Sequence, residues 1–181
     1  MKKLNDFHTD LEYSMEERDN DVFDNFYHRV FPGIDHIDFV EDLDTQKKGI
    51  DKFICFKSGN VLSVDEKKRR KAYPDILIEV WSAYEYQTRG WLYKSQCDYI
   101  VYAIMPIKKV YLLPVILLKK AWNENHKQWM KIFRKVKAIN KGYTTVSYAI
   151  PTQVLLNAIQ AEMQQEFKTS PNAATLREET A

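Results

Sequence analysis

Asp51, Asp65 and Lys67 are the residues of this chain whose types and spacing point most directly to chemistry. Asp51 opens one short apolar run, and Asp65-Glu66-Lys67 closes the next. Between the runs lies Ser58-Gly59-Asn60, whose residue types tolerate the left-handed backbone of a tight turn. Folded as a β-hairpin, residues 46–68 gather two carboxylates and an ammonium on one patch. Two hard carboxylate oxygens suit Mg²⁺ (or Mn²⁺), which binds through one or two protein carboxylates and keeps several waters. Such an ion lowers the pKa of a bound water and offsets charge building on a phosphate. Lys67 can orient that water or stabilise the transition state electrostatically. The chemistry is metal-dependent phosphodiester hydrolysis. The plainer alternative is a surface hairpin with an ordinary Asp51–Lys67 ion pair.

The apolar pattern selects a hairpin register. A three-residue loop pairs Ile54 with Val64 and Phe56 with Leu62, giving one coherent apolar face. Asp51 then stands opposite Lys67 and diagonal to Asp65 on the other face, within about 5–8 Å between Cβ atoms. A two-residue Gly59-Asn60 loop would set Ser63 and Asp65 beside Phe56 and Ile54, and would make Glu66 and Lys68 the functional pair. A one-residue slip sends every side chain to the wrong face, so the pattern favours Asp65 and Lys67.

Gly49-Ile50-Asp51, a hairpin and then Asp65-Glu66-Lys67 resemble the core of the PD-(D/E)XK nuclease superfamily, the restriction-endonuclease-like fold. Gln46 through Asp51, Val64 through Lys67, Gly90-Trp91 and Asp98 through Tyr102 are together similar to small nuclease-like proteins of phages and mobile elements. The resemblance covers residues 46–105 well and the remainder weakly. It implies an α+β fold, a mixed β-sheet with a catalytic hairpin flanked by helices. It implies catalytic roles for Asp51, Asp65 and Lys67 with Gln46 near the site, and Mg²⁺ or Mn²⁺ held by Asp51, Asp65 and the main-chain carbonyl of Glu66. The literal Pro74-Asp75 follows the Asp-Glu-Lys segment and has no acid-x-lysine after it, so it reads as a decoy.

The net charge of +2 hides a strong asymmetry. Residues 1–51 carry 14 acids and 6 bases, whereas residues 52–141 carry 19 bases and 7 acids. A basic tract near the hairpin supplies sequence-independent attraction for phosphates. Lys68, Arg69, Arg70, Lys71, Lys131, Arg134, Lys135 and Lys137 are its candidate DNA contacts. Trp122, Trp129 and Tyr143 interleave with the basic residues; stacking on bases is one use for them, and packing into the core is the reading the spacing favours. Glu79 is an acid inside an apolar strand, and a buried carboxylate must be paired, protonated or on a metal. A site residue and a partner for Arg89 are both open.

The elements that must position these residues follow from periodicity. Thr9 to Glu12 form a capping box opening a helix to about Phe31; the resemblance allows one of its acids, Glu12, Glu16 or Glu17, to reach the site, and solvated surface is the reading favoured for each. An acidic connection over 35–44 leads into the hairpin. Residues 75–81 form a third, largely buried strand, 83–96 helix or loop, 97–104 a fourth strand and 109–113 a short one. Pro114 opens a helix through Trp122. Residues 130–149 form two strands turning at Asn140-Lys141-Gly142, and Pro151 starts a last helix to Phe167. The expected organisation is a single nuclease-like domain over 1–168, with a disordered tail over 169–181.

No apolar run approaches the roughly 20 residues of a membrane span, and residues 1–17 lack the apolar core of a signal peptide. A cytoplasmic protein is expected. Cys55 and Cys97 lack metal-type spacing and read as reduced thiols in buried strands. His8, His28, His36 and His126 are scattered, which argues against zinc. The reading is thus a divalent-metal-dependent nuclease acting on DNA, with a homodimer left open. Its alternative is a non-catalytic nucleic-acid-binding or assembly protein that retains the fold.

Overall fold

Alternation along one strand sets the layering. In the computed structural model, which describes residues 21–169, β3 (Val61–Arg69) turns Leu62 and Val64 toward one core cluster. It sends Asp65 and Lys67 to the opposite face. Around it a five-stranded mixed sheet has the order β1 (Ile34–Phe39), β2 (Lys52–Phe56), β3, β6 (Tyr99–Ile104), β7 (Lys109–Pro114). The β3–β6 pair is parallel and its other neighbours are antiparallel. One face packs against helix α1 (Asp21–Val30), whose Phe23, Phe26 and Tyr27 meet Ile54, Val64, Val101 and Ala103.

The other face meets a second layer. There Ile100, Tyr102 and Ile104 of β6 join Ile76, Ile78 and Val80 of β4 (Asp75–Ala83) in the main core. This core also takes Leu118 and Trp122 from α4 (Val115–Ile132) and Leu155 and Ile159 from α5 (Thr152–Thr169). The apolar positions of α4 recur at helical spacing, so one stripe faces inward. β4 belongs to an antiparallel sheet of order β5 (Thr88–Arg89), β4, β9 (Tyr143–Pro151), β8 (Arg134–Asn140). Two short helices, α2 (Leu43–Lys47) and α3 (Trp91–Lys94), lead into the chemistry-bearing strands. No helix among the described residues is long and apolar enough to cross a membrane.

Several expectations need correction. The acidic connection over 35–44 contains β1 and α2. β1 is an edge strand whose register shifts between Ile34 and His36, so its apolar residues Ile34 and Ile37 fall three apart and the period-two signal is lost. The strand over 75–81 exists, but it joins the second sheet and not the hairpin's. The helix after Pro114 runs past Trp122 to Ile132. Trp122 and Trp129 lie in the core, and Trp122 Nε1 donates to the Tyr93 hydroxyl at 2.9 Å. The capping box at Thr9 and the tail over 170–181 lie outside the described residues.

The α1 face also carries a buried charge cluster. Lys52, only 3% exposed, places its ammonium 2.9 Å from Glu66 and 3.6 Å from Asp24, over the rings of Phe39 and Tyr27. The Tyr27 hydroxyl donates to the same Glu66 oxygen at 2.7 Å. Removing Glu66 takes the nearer, buried carboxylate from Lys52 and leaves its ammonium to the more distant, half-exposed Asp24. Glu66→Ala should therefore lower unfolding stability in urea by about 3 kcal/mol, and Lys52→Met combined with Glu66→Leu should restore most of it.

Candidate active site

The hairpin turn decides which acids meet. Gly59, at φ +85, closes the loop by donating to the Phe56 carbonyl, and the Phe56 amide donates to the Asn60 carbonyl. The left-handed residue is thus the last of a Lys57-Ser58-Gly59 loop and not the middle of Ser58-Gly59-Asn60. The observed pairs are Ile54 with Leu62 and Lys52 with Val64, two residues from the register expected. A two-residue shift preserves faces, because side chains alternate with period two. Asp51 therefore keeps the face of Asp65 and Lys67, but meets Asp65 instead of standing opposite Lys67.

The β2–β3 ladder ends at the Lys52–Val64 pair. Beyond it the Asp51 amide donates to the Val64 carbonyl at 2.8 Å, and the Asp51 carboxylate accepts the Glu66 amide at 2.8 Å. That bond fixes the carboxylate beside Asp65. Asp65 is 1% exposed; one oxygen accepts from the Ser95 hydroxyl at 3.0 Å, and the other pairs with the Lys67 ammonium. Burial pushes the Asp65 carboxyl up to about 6, with Lys67 opposing and the Asp51 charge adding to the rise. Burial also acts to lower the Lys67 pKa, but Asp65, Asp51 and Glu79 outweigh it and hold the group above its ordinary value. Lys67 is an ammonium here.

Two glycines make the approach possible. Gly49 sits at φ +70, and a Cβ there would lie 2.7 Å from Ser95 Oγ and 3.1 Å from an Asp65 carboxylate oxygen. Only glycine combines that backbone with that clearance. At Gly90, a Cβ would stand 2.3 Å from the Glu79 carbonyl oxygen. The following Trp91 amide donates to the Glu79 carboxylate at 3.2 Å, and burial raises the Glu79 pKa while Lys67 and Lys94 act to lower it. Glu79 thus faces the site. Arg89, its alternative partner, instead stacks between Trp81 and Tyr93.

The remaining candidate residues divide. Gln46 donates to the Val40 carbonyl at 2.7 Å, and Val40 donates to the Asp51 carbonyl, so Gln46 braces the strand that carries Asp51. The Glu66 side chain points to α1, and the Lys68 ammonium lies over the Phe23 ring. Arg69 is buried and bonds to Asp75, which also stands 3.5 Å from Arg134. Asp75, the decoy acid, is thereby occupied, and Arg69 is not part of the solvent-facing basic surface. Lys71, Lys131, Arg134, Lys135 and Lys137 are exposed, as is Arg70.

Ser95 is a site residue that the sequence reading missed; it sits in a polar segment with no periodic signal. Lys119 holds its carbonyl at 2.6 Å, and the Gln96 amide donates to the Lys48 carbonyl, so residues 95–96 lie against the strand entry at Gly49. Asp98 then accepts from the Ser63 amide and hydroxyl, both at 2.7 Å, fastening β6 to β3. Cys97 is buried as expected, and burial pushes its thiol up to about 12. Cys55 is not; it lies half-buried on β2 beside Asp38 and His36 of β1. Comparison with protein-family models, with curated proteins and with solved structures finds no match to this chain.

The paired acids make stability depend on pH. Without a divalent ion, the raised Asp65 pKa means the folded state binds more protons than the unfolded one between about pH 4 and 6, so Asp65 lowers stability as pH rises through that window. Asp65→Asn should be more stable than wild type at pH 7 in chelator, by on the order of 1 kcal/mol, with the difference shrinking toward pH 4. Urea unfolding at both pH values measures it.

Proposed function

We propose that the protein is a divalent-metal-dependent nuclease that hydrolyses DNA phosphodiester bonds. The observation that carries this reading is the meeting of Asp51 and Asp65 on one face of the hairpin, with a protonated Lys67 beside them. Two adjoining carboxyls, one buried and pushed toward neutrality, form an oxygen site that a hard divalent cation suits. Asp51 and Asp65 would hold Mg²⁺ or Mn²⁺, and by resemblance the Glu66 main-chain carbonyl would join them. When bound, the ion supplies a nucleophilic water at neutral pH and offsets charge on the scissile phosphate.

The chain's own residues do the rest. Lys67 already carries its proton, so it acts as a donor toward phosphate oxygens and not as a base. Its side chain is 29% exposed, which leaves it within reach of substrate. Glu79, oriented by the Trp91 amide, adds negative charge that keeps Lys67 protonated. Ser95 holds one Asp65 oxygen, Gly49 leaves room for that contact, and Gln46 braces the strand that carries Asp51. The mixed sheet with its hairpin and parallel β3–β6 pair is compatible with a restriction-endonuclease-like core, to which the β5-β4-β9-β8 sheet would be an addition. Exposed Arg70, Lys71, Lys131, Arg134, Lys135 and Lys137 would meet the DNA backbone.

Metal-dependent cleavage of duplex, single-stranded and branched DNA tests the reading. Asp51→Ala, Asp65→Ala and Lys67→Ala should each lower cleavage at least about a hundredfold, as loss of an electrostatic stabiliser does. All three should still bind DNA. Replacing Lys131, Lys135 and Lys137 with Gln should flatten log affinity against log salt by roughly 0.7–0.9 per lost phosphate contact while leaving Mn²⁺ binding intact. DNA binding without cleavage on any substrate in Mg²⁺ or Mn²⁺ would favour the non-catalytic binder.

A further inference from the structure

A second cluster lies on the same face of the hairpin's sheet. Asp51, Phe53 and Cys55 alternate along β2, so Cys55 shares the face of Asp51 roughly 13 Å further along, at about 3.3 Å per residue. In the register, His36 of β1 pairs with Cys55, and Asp38 pairs with Phe53. His36 Nε2 lies 3.4 Å from Asp38 Oδ2, and Cys55 Sγ lies 3.8 Å from the same oxygen. The three ligand atoms all fall within 4.8 Å of one another.

These separations match a particular ion. Zinc binds nitrogen, oxygen and thiolate sulfur at about 2.0–2.3 Å in tetrahedral geometry, which puts neighbouring ligand atoms about 3.3–3.8 Å apart. The two separations to Asp38, 3.4 and 3.8 Å, fall in this range, and the remaining one lies within 4.8 Å. The imidazole is already oriented: its Nδ1 is bonded to Asp35 Oδ2 at 2.9 Å, so Nε2 is the nitrogen turned to the cluster. A metal-binding histidine normally has such a carboxylate behind it. His36 and Asp38 are both more than half exposed, so solvent reaches the ligands.

We propose that His36, Asp38 and Cys55 bind Zn²⁺ or a similarly thiophilic divalent ion, with a water in the fourth position and Asp35 as the positioning residue. The site is independent of the Asp51–Asp65 pair, because a thiolate–imidazole set selects a softer ion than two carboxylates do.

The test is titration of the full chain with Co²⁺, which reports a thiolate ligand by charge-transfer absorption, and competition with Zn²⁺. One equivalent should give the band, and Zn²⁺ should abolish it. Cys55→Ser should lose the band and weaken Zn²⁺ binding at least about tenfold; His36→Ala and Asp38→Ala should weaken it comparably, and Asp35→Ala by about tenfold. Asp51→Ala should keep the band. Zn²⁺ should also slow alkylation of Cys55 in the wild-type protein, a readout that needs no variant to fold. An absent band, unchanged alkylation, or loss of the band in Asp51→Ala with retention in Cys55→Ser would overturn the proposal.

Discussion

Everything in the site depends on how β3 deals four consecutive charges to two faces. Asp65 and Lys67 go to the side of the main core, and Glu66 and Lys68 to the side of α1. Each face then settles its charges separately. Glu66 is consumed by Lys52 and Tyr27. Asp65 has one cation, Lys67, to set against its own charge and that of Asp51. A one-residue slip of the register would have turned Glu66 and Lys68, in place of Asp65 and Lys67, to the face of Asp51.

The site is therefore built under strain of an electrostatic kind. Burial of Asp65 opposes its ionisation, and the neighbouring Asp51 opposes it further. What holds the arrangement is the surrounding backbone. The Glu66 amide grips Asp51, Ser95 grips Asp65, and Gly49 leaves room for the Ser95–Asp65 contact by having no side chain. The Gly49 and Gly90 positions do the same work from two sides, one letting Ser95 close on Asp65 and the other letting Trp91 close on Glu79. Holding two carboxylates together in this way is costly to the fold.

Much of this was legible in the sequence, for a specific reason. The hairpin register was misjudged by two residues, yet Asp51, Asp65 and Lys67 still shared a face, because errors of two leave period-two patterns intact. Turn chemistry at Gly59 carries the finer information: its left-handed residue closes the loop as the third position, so the loop begins one residue earlier, at Lys57. β1 was illegible because its register shift breaks the alternation that marks a strand. β4 was legible as a buried strand but not as a member of another sheet, since near-continuous apolarity says that both faces are covered and nothing about by what. Ser95 gave no sign, being one small polar residue in a polar segment.

The same limit applies to His36, Asp38 and Cys55. Scattered along the chain, they carry no spacing that marks a metal site, and only the pairing of β1 with β2 brings them together. The two neighbours of β2 thus gather different donors at its two ends, β3 beside Asp51 and β1 beside Cys55. At the Asp51 end the donors are carboxylate oxygens beside a partly exposed lysine, a set suited to a hard ion. At the Cys55 end they are sulfur, nitrogen and one oxygen, more than half open to solvent at two of the three residues. Ligand softness orders divalent ions differently from charge alone. On the two proposals made above, one strand would offer hard donors at one end and soft donors at the other, and so would favour a different ion at each. Donor chemistry and the roughly 13 Å between the two clusters would together keep such sites distinct.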